Sequence, residues 1–384
     1  MQRSLVGSEM CIRDRLNTMK ILFVIRDMFM GGAGKQLALT ASSLIERGHK
    51  VYLYTYIGAS LEHRIDSRII YIAEKNVPTS KLKEYLFTPF HIHRVINQVK
   101  PDIAISWRAN AGCMLVLGAI GTGVSTVFSE RSDPYMETNM MLKVATKICD
   151  YSDGGVFQTS KARDYYHRLS PKSVVIPNPV GLDLNFPKIE NIESRKKEIA
   201  WVGRIANRQK RMDIALKAFQ IIHKQLPDYT LSFYGDGVDM QWIKKMVADL
   251  NLQNYVFFHG AKKGIVDIIK YSRILMLSSD YEGIPNIIIE AFIAGIPVVA
   301  TDCSPGGARL LIDNGRNGFV VPMRDYKSLA AQCVKVIEDP KLSNGFIQQS
   351  RTKLKLFEPQ GIFKAWNEYL MKIGDSNHFM KESN

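Results

Sequence analysis

One carboxylate occupies an unusual place in the stretch from Ser278 to Arg309. Glu290 is the only charged residue between Glu282 and Asp302, and its segment is apolar on almost every side. Burying an unpaired carboxylate is costly. Glu290 therefore either has a partner inside the protein or points into a cleft at the N-terminal end of its helix. The residues alone leave both readings open.

Charged residues also gather after two predicted strands. Four cations fall within eight residues after the strand that begins at Glu198, namely Arg204, Arg208, Lys210 and Arg211. Glu130, Arg131 and Asp133 follow a strand that ends near Phe128, and doubly wound folds bind ligands at the carboxyl ends of strands. A solvated loop accounts for the first group equally well, and an ion pair that caps the next helix accounts for the second.

A glycine-rich segment, Met30-Gly-Gly-Ala-Gly-Lys35, follows the predicted strand at residues 20–26. The segment precedes a helix that we expect from Gln36 to Arg47. This order suits phosphate binding at a helix N-terminus. The glycine spacing fits neither the dinucleotide-binding fingerprint nor a Walker A loop, and a tight turn alone also explains it.

The elements that position these residues alternate between strand and helix. Ile274 to Leu277 and Val298 to Ala300 are apolar runs typical of buried parallel strands. Pro285 suits the first position of the helix between them, and Gly295 suits its end. The pattern predicts doubly wound α/β sheets. We expect another helix over residues 88–100.

Composition and charge narrow the classes of protein and partner. The 384 residues are 46% hydrophobic, enough for two domains, and a net charge of +14 permits an anionic partner. No basic run interleaved with aromatics predicts a nucleic-acid groove. The five cysteines predict reduced, mostly buried thiols. The uncharged stretch from 109 to 129 predicts a buried helix (about 111–120), a glycine turn and a strand (124–128) rather than a membrane span.

The stretch around Glu282 and Glu290 resembles a known family signature. The two residues form a Glu-x7-Glu pattern that resembles the donor site of retaining family-4 glycosyltransferases with the GT-B fold. Residues in register with it are Gly283, Pro285, Asn286, Gly295, Pro297, Gly306 and Gly307. The resemblance implies two doubly wound, Rossmann-like domains that face a central cleft. We expect an acceptor-side domain at 19–180, a nucleotide-sugar domain at 181–356, and a helix returning to the first domain plus a tail at 357–384. Residues 1–18 resemble translated adapter read-through, and we expect a non-native leader there.

The resemblance also implies roles for individual residues. Glu290 would hold the nucleotide ribose, Glu282 would meet hydroxyls of the donor sugar, and Arg204 and Lys210 would clamp the diphosphate. Glu130 and Arg131 would line the acceptor side, and Glu130 is also a candidate catalytic residue. The remaining expected donor contacts are Gly31, Gly32, Ala33, Gly260, Ala261, Gly283, Ile284, Pro285 and Asn286. No Asp-x-Asp motif is present, so we expect neither a metal nor another cofactor.

The expected reaction is transfer of a hexose or N-acetylhexosamine, with retention, from a nucleotide-diphosphate sugar that is most plausibly a UDP-sugar. The acceptor would be an envelope glycan or a lipid-linked oligosaccharide, and the enzyme would be cytoplasmic, with peripheral contact at an anionic membrane. The alternatives are a UDP-sugar 2-epimerase or glycan phosphorylase of the same fold, and a non-catalytic nucleotide-sugar-binding protein. Many relatives carry a histidine where this chain reads Ser106-Trp-Arg-Ala-Asn110, and some carry a glutamate where it has Arg309 and Leu310. Both differences bear on the choice of donor sugar.

Overall fold

The computed structural model describes residues 18–28, 32–58, 65–136, 139–179 and 191–382, with side chains as far as residue 375. These residues form two compact units. One contains the chain up to Pro179 and the C-terminal segment from Gln360, and the other contains the residues between. The expected leader at 1–18 lies outside the described residues except for its last residue, and so does Gly31.

The first unit is built on a sheet of seven parallel strands in the order β3-β2-β1-β4-β5-β6-β7. Five of the strands are buried along most of their length, which explains their continuous apolar runs. The strands are β1 (Lys20–Ile25), β2 (Lys50–Thr55), β3 (Ile70–Ala73), β4 (Ile103–Trp107), β5 (Ser125–Ser129), β6 (Gly154–Phe157) and β7 (Ser173–Val175).

Helices cover both faces of this sheet. They are α1 (Gly32–Glu46), α2 (Lys81–Val99), α3 (Ala109–Gly118), α4 (Met140–Cys149) and α5 (Ser160–Asp164). The helix and strand expected in the uncharged stretch are confirmed as α3 and β5. Two predicted helix starts are wrong. The helix expected from Gln36 begins at Gly32, and the one expected from residue 88 begins at Lys81, because Ser80 caps it by accepting a hydrogen bond from Lys83 N at 3.3 Å.

The second unit repeats this design with six parallel strands in the order β10-β9-β8-β11-β12-β13. The strands are β8 (Lys196–Val202), β9 (Thr230–Tyr234), β10 (Val256–Phe258), β11 (Ser272–Leu277), β12 (Val298–Thr301) and β13 (Phe319–Val321). The helices are α6 (Asn207–Lys210), α7 (Met212–Gln225), α8 (Met240–Asp249), α9 (Ile265–Ile269), α10 (Asn286–Ala294), α11 (Gly307–Leu311), α12 (Tyr326–Glu338) and α13 (Pro340–Leu354). Two apolar clusters fill its two faces.

The last helix, α14 (Pro359–Glu382), packs on the first unit. Trp366 is buried and stacks on Trp107 with ring centroids 5.7 Å apart. The hydroxyl of Tyr369 donates to Lys172 O and accepts from Gly155 N at 2.7 Å. A ring stack and two hydrogen bonds therefore fix the helix to the sheet.

The four described cysteines are free and buried, as expected. Burial raises the pKa of the Cys113 thiol to about 11. Within the described residues, no helix combines the length and the apolar character needed to span a membrane.

Candidate functional site

The loops after β11 and β12 are tied together at the carboxyl edge of the second sheet. Glu282 N donates to Ser304 O at 2.8 Å, and Ser304 N donates to Asp280 O at 3.0 Å. A side chain at Gly307 would place its Cβ 2.0 Å from the carbonyl oxygen of Gly283. The glycine at 307 is therefore required for the two loops to approach each other.

This edge brings together two residues that the sequence separates widely. The ammonium of Lys210 forms an ion pair with the Oε1 carboxylate oxygen of Glu282, and both side chains are mostly buried. Ser279 Oγ donates to the same oxygen at 2.8 Å. The Lys210 Nζ also lies 3.5 Å from the position of a Cβ on Gly203. A positive and a negative group predicted to bind the donor are thus held in direct contact.

Helix α10 presents the second glutamate. Pro285 is its N-cap rather than its first helical residue, one position earlier than expected, and Gly295 ends it with a positive φ of 69°. Most of the helix is buried, whereas Asn286 and Glu290 are half-buried. Residues four apart share one helix face, so these two polar side chains lie side by side. Glu290 is therefore on the partly exposed face of the helix and not in the apolar core.

The cations after β8 differ in whether they form ion pairs. Arg211 pairs with Asp213 at 2.8 Å and with Asp280 at 3.0 Å, and Arg324 also pairs with Asp280 at 2.8 Å. Arg211 thus has a structural role. Arg204 is exposed and forms no ion pair with any residue that the structure describes. Of the two cations predicted to bind the diphosphate, Arg204 is therefore exposed and Lys210 is paired with Glu282.

The loop after β10 contains two of the expected donor contacts, Gly260 and Ala261. Gly260 has a positive φ of 69°. Ala261 N donates to the Asp236 carboxylate at 2.7 Å, so that N–H already has a partner. His259 stacks on Tyr234 at 4.7 Å and shares a 3.2 Å hydrogen bond with Ser232. These contacts hold the imidazole of His259 against β9.

In the first unit, Glu130 is buried and has several partners. Its Oε1 accepts from Arg131 N at 2.8 Å, from Ser132 N at 3.0 Å and from Ser132 Oγ at 2.8 Å. Its Oε2 accepts from the hydroxyl of Tyr166 at 2.7 Å. The carboxylate therefore braces the loop after β5.

Arg131 lies on the rings of two tryptophans. Its guanidinium carbon is 4.1 Å from the Trp107 ring centroid and 5.4 Å from that of Trp366. Nη1 donates to Asn178 Oδ1 at 3.2 Å, whereas the buried Nε and Nη2 have no hydrogen-bond partner in the described part of the chain. Burial lowers the pKa of Arg131 to about 9, against the opposing charge of Glu130, and the group is still a cation at neutral pH.

The glycine segment is connected to the same tryptophan. Trp107 Nε1 donates to Ala33 O at 3.0 Å, and Gly32 and Ala33 form the first turn of α1. This hydrogen bond therefore joins the start of α1 to the end of β4. The described residues contain no cluster of three or more histidine, cysteine or carboxylate side chains that could hold a metal ion.

Two protein-family models match the sequence of this chain. Residues 30–184 match the model described as Glycosyltransferase Family 4, and residues 184–353 match Glycosyl transferases group 1. The chain belongs to the family-4 glycosyltransferases. Its two parallel sheets flanked by helices are the GT-B fold.

Relatives of this glycosyltransferase match it over nearly their full length. An uncharacterized glycosyltransferase of Haemophilus influenzae is 23% identical, over 91% of this chain and 98% of that protein. A Campylobacter jejuni enzyme is 22% identical, over 92% of this chain and 99% of that protein. It is named as an α-1,4-N-acetyl-D-galactosaminyltransferase that acts on an undecaprenol-diphosphate-linked glycan. Among solved structures, Anabaena HepE in complex with UDP aligns with a TM-score of 0.76 at 18% identity, covering 92% of this chain and 100% of that one.

One residue of this glycosyltransferase stood out only in the structure. Arg108 has φ 79° and ψ 156°, a conformation that is essentially restricted to glycine. Its N–H donates to Ser129 O at 2.8 Å and its carbonyl accepts from Gly112 N at 3.0 Å, which hold the backbone in place. The side chain is exposed and has no ion pair with the described residues. No pattern in the sequence marks this residue, because its type gives no sign of the backbone conformation.

Proposed function

We propose that this enzyme transfers a hexose or N-acetylhexosamine from a UDP-sugar, with retention of the anomeric configuration, to a glycan of the cell envelope. The observation that carries the proposal is the Lys210–Glu282 pair at the carboxyl edge of β11. Cleavage of the donor leaves a nucleotide diphosphate, whose developing negative charge must be neutralised. Lys210 and Arg204 can supply that charge without a metal ion.

The remaining donor contacts follow from the geometry of α10 and its loop. When the diphosphate takes the ammonium of Lys210, the carboxylate of Glu282 becomes free to accept hydrogen bonds from sugar hydroxyls. Glu290, beside Asn286 on the half-buried face of α10, suits the hydroxyls of the ribose. The first-turn N–H groups of α10 add a weak positive potential. Glu282 and Glu290 thus bind hydroxyls and do not act as an acid and base pair.

A front-face reaction fits this set of residues. The bond between the anomeric carbon and the diphosphate oxygen breaks, and its electrons pass to the diphosphate. The acceptor hydroxyl forms the new bond on the same face and gives its proton to a phosphate oxygen of the leaving group. Glu130, whose oxygens bind the loop after β5 and Tyr166, acts as a positioning residue for Arg131 on the acceptor side.

The relatives support the choice of substrates. The Campylobacter enzyme is named for transfer to an undecaprenol-diphosphate-linked glycan, and Anabaena HepE was solved with UDP. Both are similar to this chain over more than nine-tenths of its length. We therefore propose a UDP-sugar donor and an envelope polysaccharide or lipid-linked oligosaccharide acceptor.

Calorimetric titration of the protein with UDP, GDP, ADP and TDP in the presence of EDTA tests the donor part of this proposal. We expect selective binding of UDP with a micromolar dissociation constant. Titration of UDP-sugars then identifies the sugar, and NMR of the product gives the anomeric configuration. Binding that appears only after Mg²⁺ is added would contradict the metal-free site. Conversion of a UDP-sugar to its 2-epimer without any acceptor would contradict glycosyl transfer.

A further inference from the structure

The N-terminal half of α2 exposes a row of large apolar side chains. Leu82, Leu86 and Phe90 are spaced by four residues, so they lie along one helix face. Their exposed fractions are 66%, 56% and 72%. The opposite side of the helix, with Ile92 and Val95, is buried against the sheet. The exposed row is therefore additional to the face that holds the helix in place.

The end of α3 extends this row. A Cβ on Gly118 would lie 2.6 Å from Pro89 O and 3.0 Å from Ile92 Cβ, so the two helices touch beside Phe90. Leu117 and Ile120, on either side of Gly118, are exposed. We call the combined set the α2–α3 apolar surface, which consists of Leu82, Leu86, Phe87, Phe90, Leu117 and Ile120.

Exposed cations lie around this surface, and the fully described helices α2, α3 and α4 carry no exposed carboxylate. Lys81 and Lys83 on α2 are exposed, as are Lys143 and Lys147 on α4. Arg94 is also exposed, but it pairs with the buried Glu74 at 2.9 Å. Helices α2, α3 and α4 are described along their whole length, and their single carboxylate belongs to Glu84. Glu84 is buried and pairs with Arg26 at 3.2 Å.

Helix α4 lies on the other side of α3 and has the same character. Cys149 Sγ donates to Ala109 O at 3.3 Å, which places the end of α4 against the start of α3. Met140 and Val144 on α4 are exposed close to its two lysines, Lys143 and Lys147. Three adjacent helices thus present apolar side chains together with positive charge. Large exposed apolar patches of this kind mark interaction sites.

We propose that the α2–α3 apolar surface binds the face of an anionic lipid bilayer. Leucine and phenylalanine side chains would enter the boundary between headgroups and acyl chains, and the lysines would contact the anionic headgroups. A contact between two copies of this surface is disfavoured, because a two-fold interface would bring the same cations together. This inference rests on the proposed function, because an enzyme with a lipid-linked acceptor meets that acceptor at the surface of a bilayer.

Flotation of the protein with lipid vesicles, without donor or acceptor, tests this proposal. We expect binding to vesicles that contain phosphatidylglycerol and much weaker binding to phosphatidylcholine alone, with a decrease as salt is added. The double variant Leu86→Glu/Phe90→Glu should lose roughly tenfold or more in partitioning. Leu356→Glu is the matched control, because Leu356 lies in the other unit with 70% of its side chain exposed. It should bind vesicles like the wild type.

Two further measurements separate the alternatives. Lys81→Glu/Lys83→Glu should weaken binding to phosphatidylglycerol vesicles and leave binding to phosphatidylcholine unchanged. UDP titration of every variant shows that the fold and donor site are intact, and it keeps this proposal separate from the proposed function. The proposal is overturned if the wild type does not bind phosphatidylglycerol vesicles, if the glutamate double variant binds as well as the wild type, or if the surface instead forms a dimer that this variant dissociates.

Discussion

The ammonium of Lys210 lies against the carboxylate of Glu282, and the two residues are mostly buried at the carboxyl edge of the second sheet. Each neutralises the other. On the proposed function, a donor diphosphate competes with Glu282 for Lys210, and the donor sugar competes with Lys210 for Glu282. Substitutions at the two positions should then have opposite effects on the binding of UDP alone.

Lys210→Ala should weaken UDP binding roughly 10- to 100-fold, because it removes a charge-assisted hydrogen bond to phosphate. Glu282→Gln should keep UDP binding at the wild-type level or strengthen it a few-fold, since Lys210 is released from its partner. The same Glu282→Gln enzyme should lose turnover with the UDP-sugar. Calorimetry with UDP and steady-state kinetics measure the two effects. Equal weakening of UDP binding by both substitutions would contradict the competition.

Alanine substitution should have different effects at Gly307 and Gly345. It should weaken UDP binding at Gly307 and raise the free energy of unfolding at Gly345. A Cβ on Gly307 would lie 2.0 Å from Gly283 O, a backbone atom of the loop after β11, so Gly307→Ala must displace that loop. On the proposed function, this displacement weakens UDP binding. Gly345 is exposed within α13, with nothing within 4 Å of its Cβ position. Gly345→Ala should raise the free energy of unfolding by about 0.5–1 kcal/mol and leave UDP binding unchanged. Thermal unfolding and calorimetry check both, and unchanged UDP binding in Gly307→Ala would argue against the required close approach.

Arg108→Gly should stabilise the protein relative to Arg108→Ala. Both remove the guanidinium, but only glycine adopts the φ of 79° without strain. The expected difference in the free energy of unfolding is about 1–2 kcal/mol. If the exposed guanidinium meets a substrate, both variants should lose activity to the same extent. Denaturant unfolding and kinetics provide the measurements, and equal stability of the two variants would show that no strain is stored there.

Asp213 should contribute stability that is lost in acid. Burial is the largest single influence and opposes ionisation, but the hydrogen bonds and charge of Arg211 outweigh it and lower the pKa of Asp213. A carboxyl whose pKa is lower in the folded state stabilises the fold above its unfolded pKa of about 4, and this contribution fades as the pH falls below that value. Asp213→Asn should therefore be destabilising at pH 7, by about 1–3 kcal/mol, and less so near pH 3.5.

The control for this titration is Asp228→Asn. Asp228 pairs with Lys197 at the surface, where an exposed ion pair contributes little. The unfolding midpoint of Asp228→Asn should match that of the wild type at pH 7 and at pH 3.5. A constant deficit for Asp213→Asn at pH 7 and pH 3.5 would show that the loss comes from packing and not from charge.

Local patterns account for most of the fold. Apolar runs such as Ile274 to Leu277 become strands buried on both faces, and the spacing from Glu282 through Pro285 to Gly295 defines a loop and a helix. These features depend on neighbouring residues, so the sequence is enough to predict them. The predicted start of α2 at residue 88 was wrong, because the helix begins at Lys81 after the Ser80 cap and continues through Pro89.

The sequence by itself determined the two doubly wound sheets and the loop and helix after β11, because burial and turn chemistry act over a few residues. The resemblance of its Glu-x7-Glu signature indicated the family. Tertiary structure decided which charges meet. Lys210 reaches Glu282 across 72 positions, and Arg131 stacks on Trp366 although the two belong to distant parts of the chain. It also placed Arg108 in a conformation that favours glycine. Such pairings depend on how separate strands align in a sheet, and no local pattern encodes that alignment.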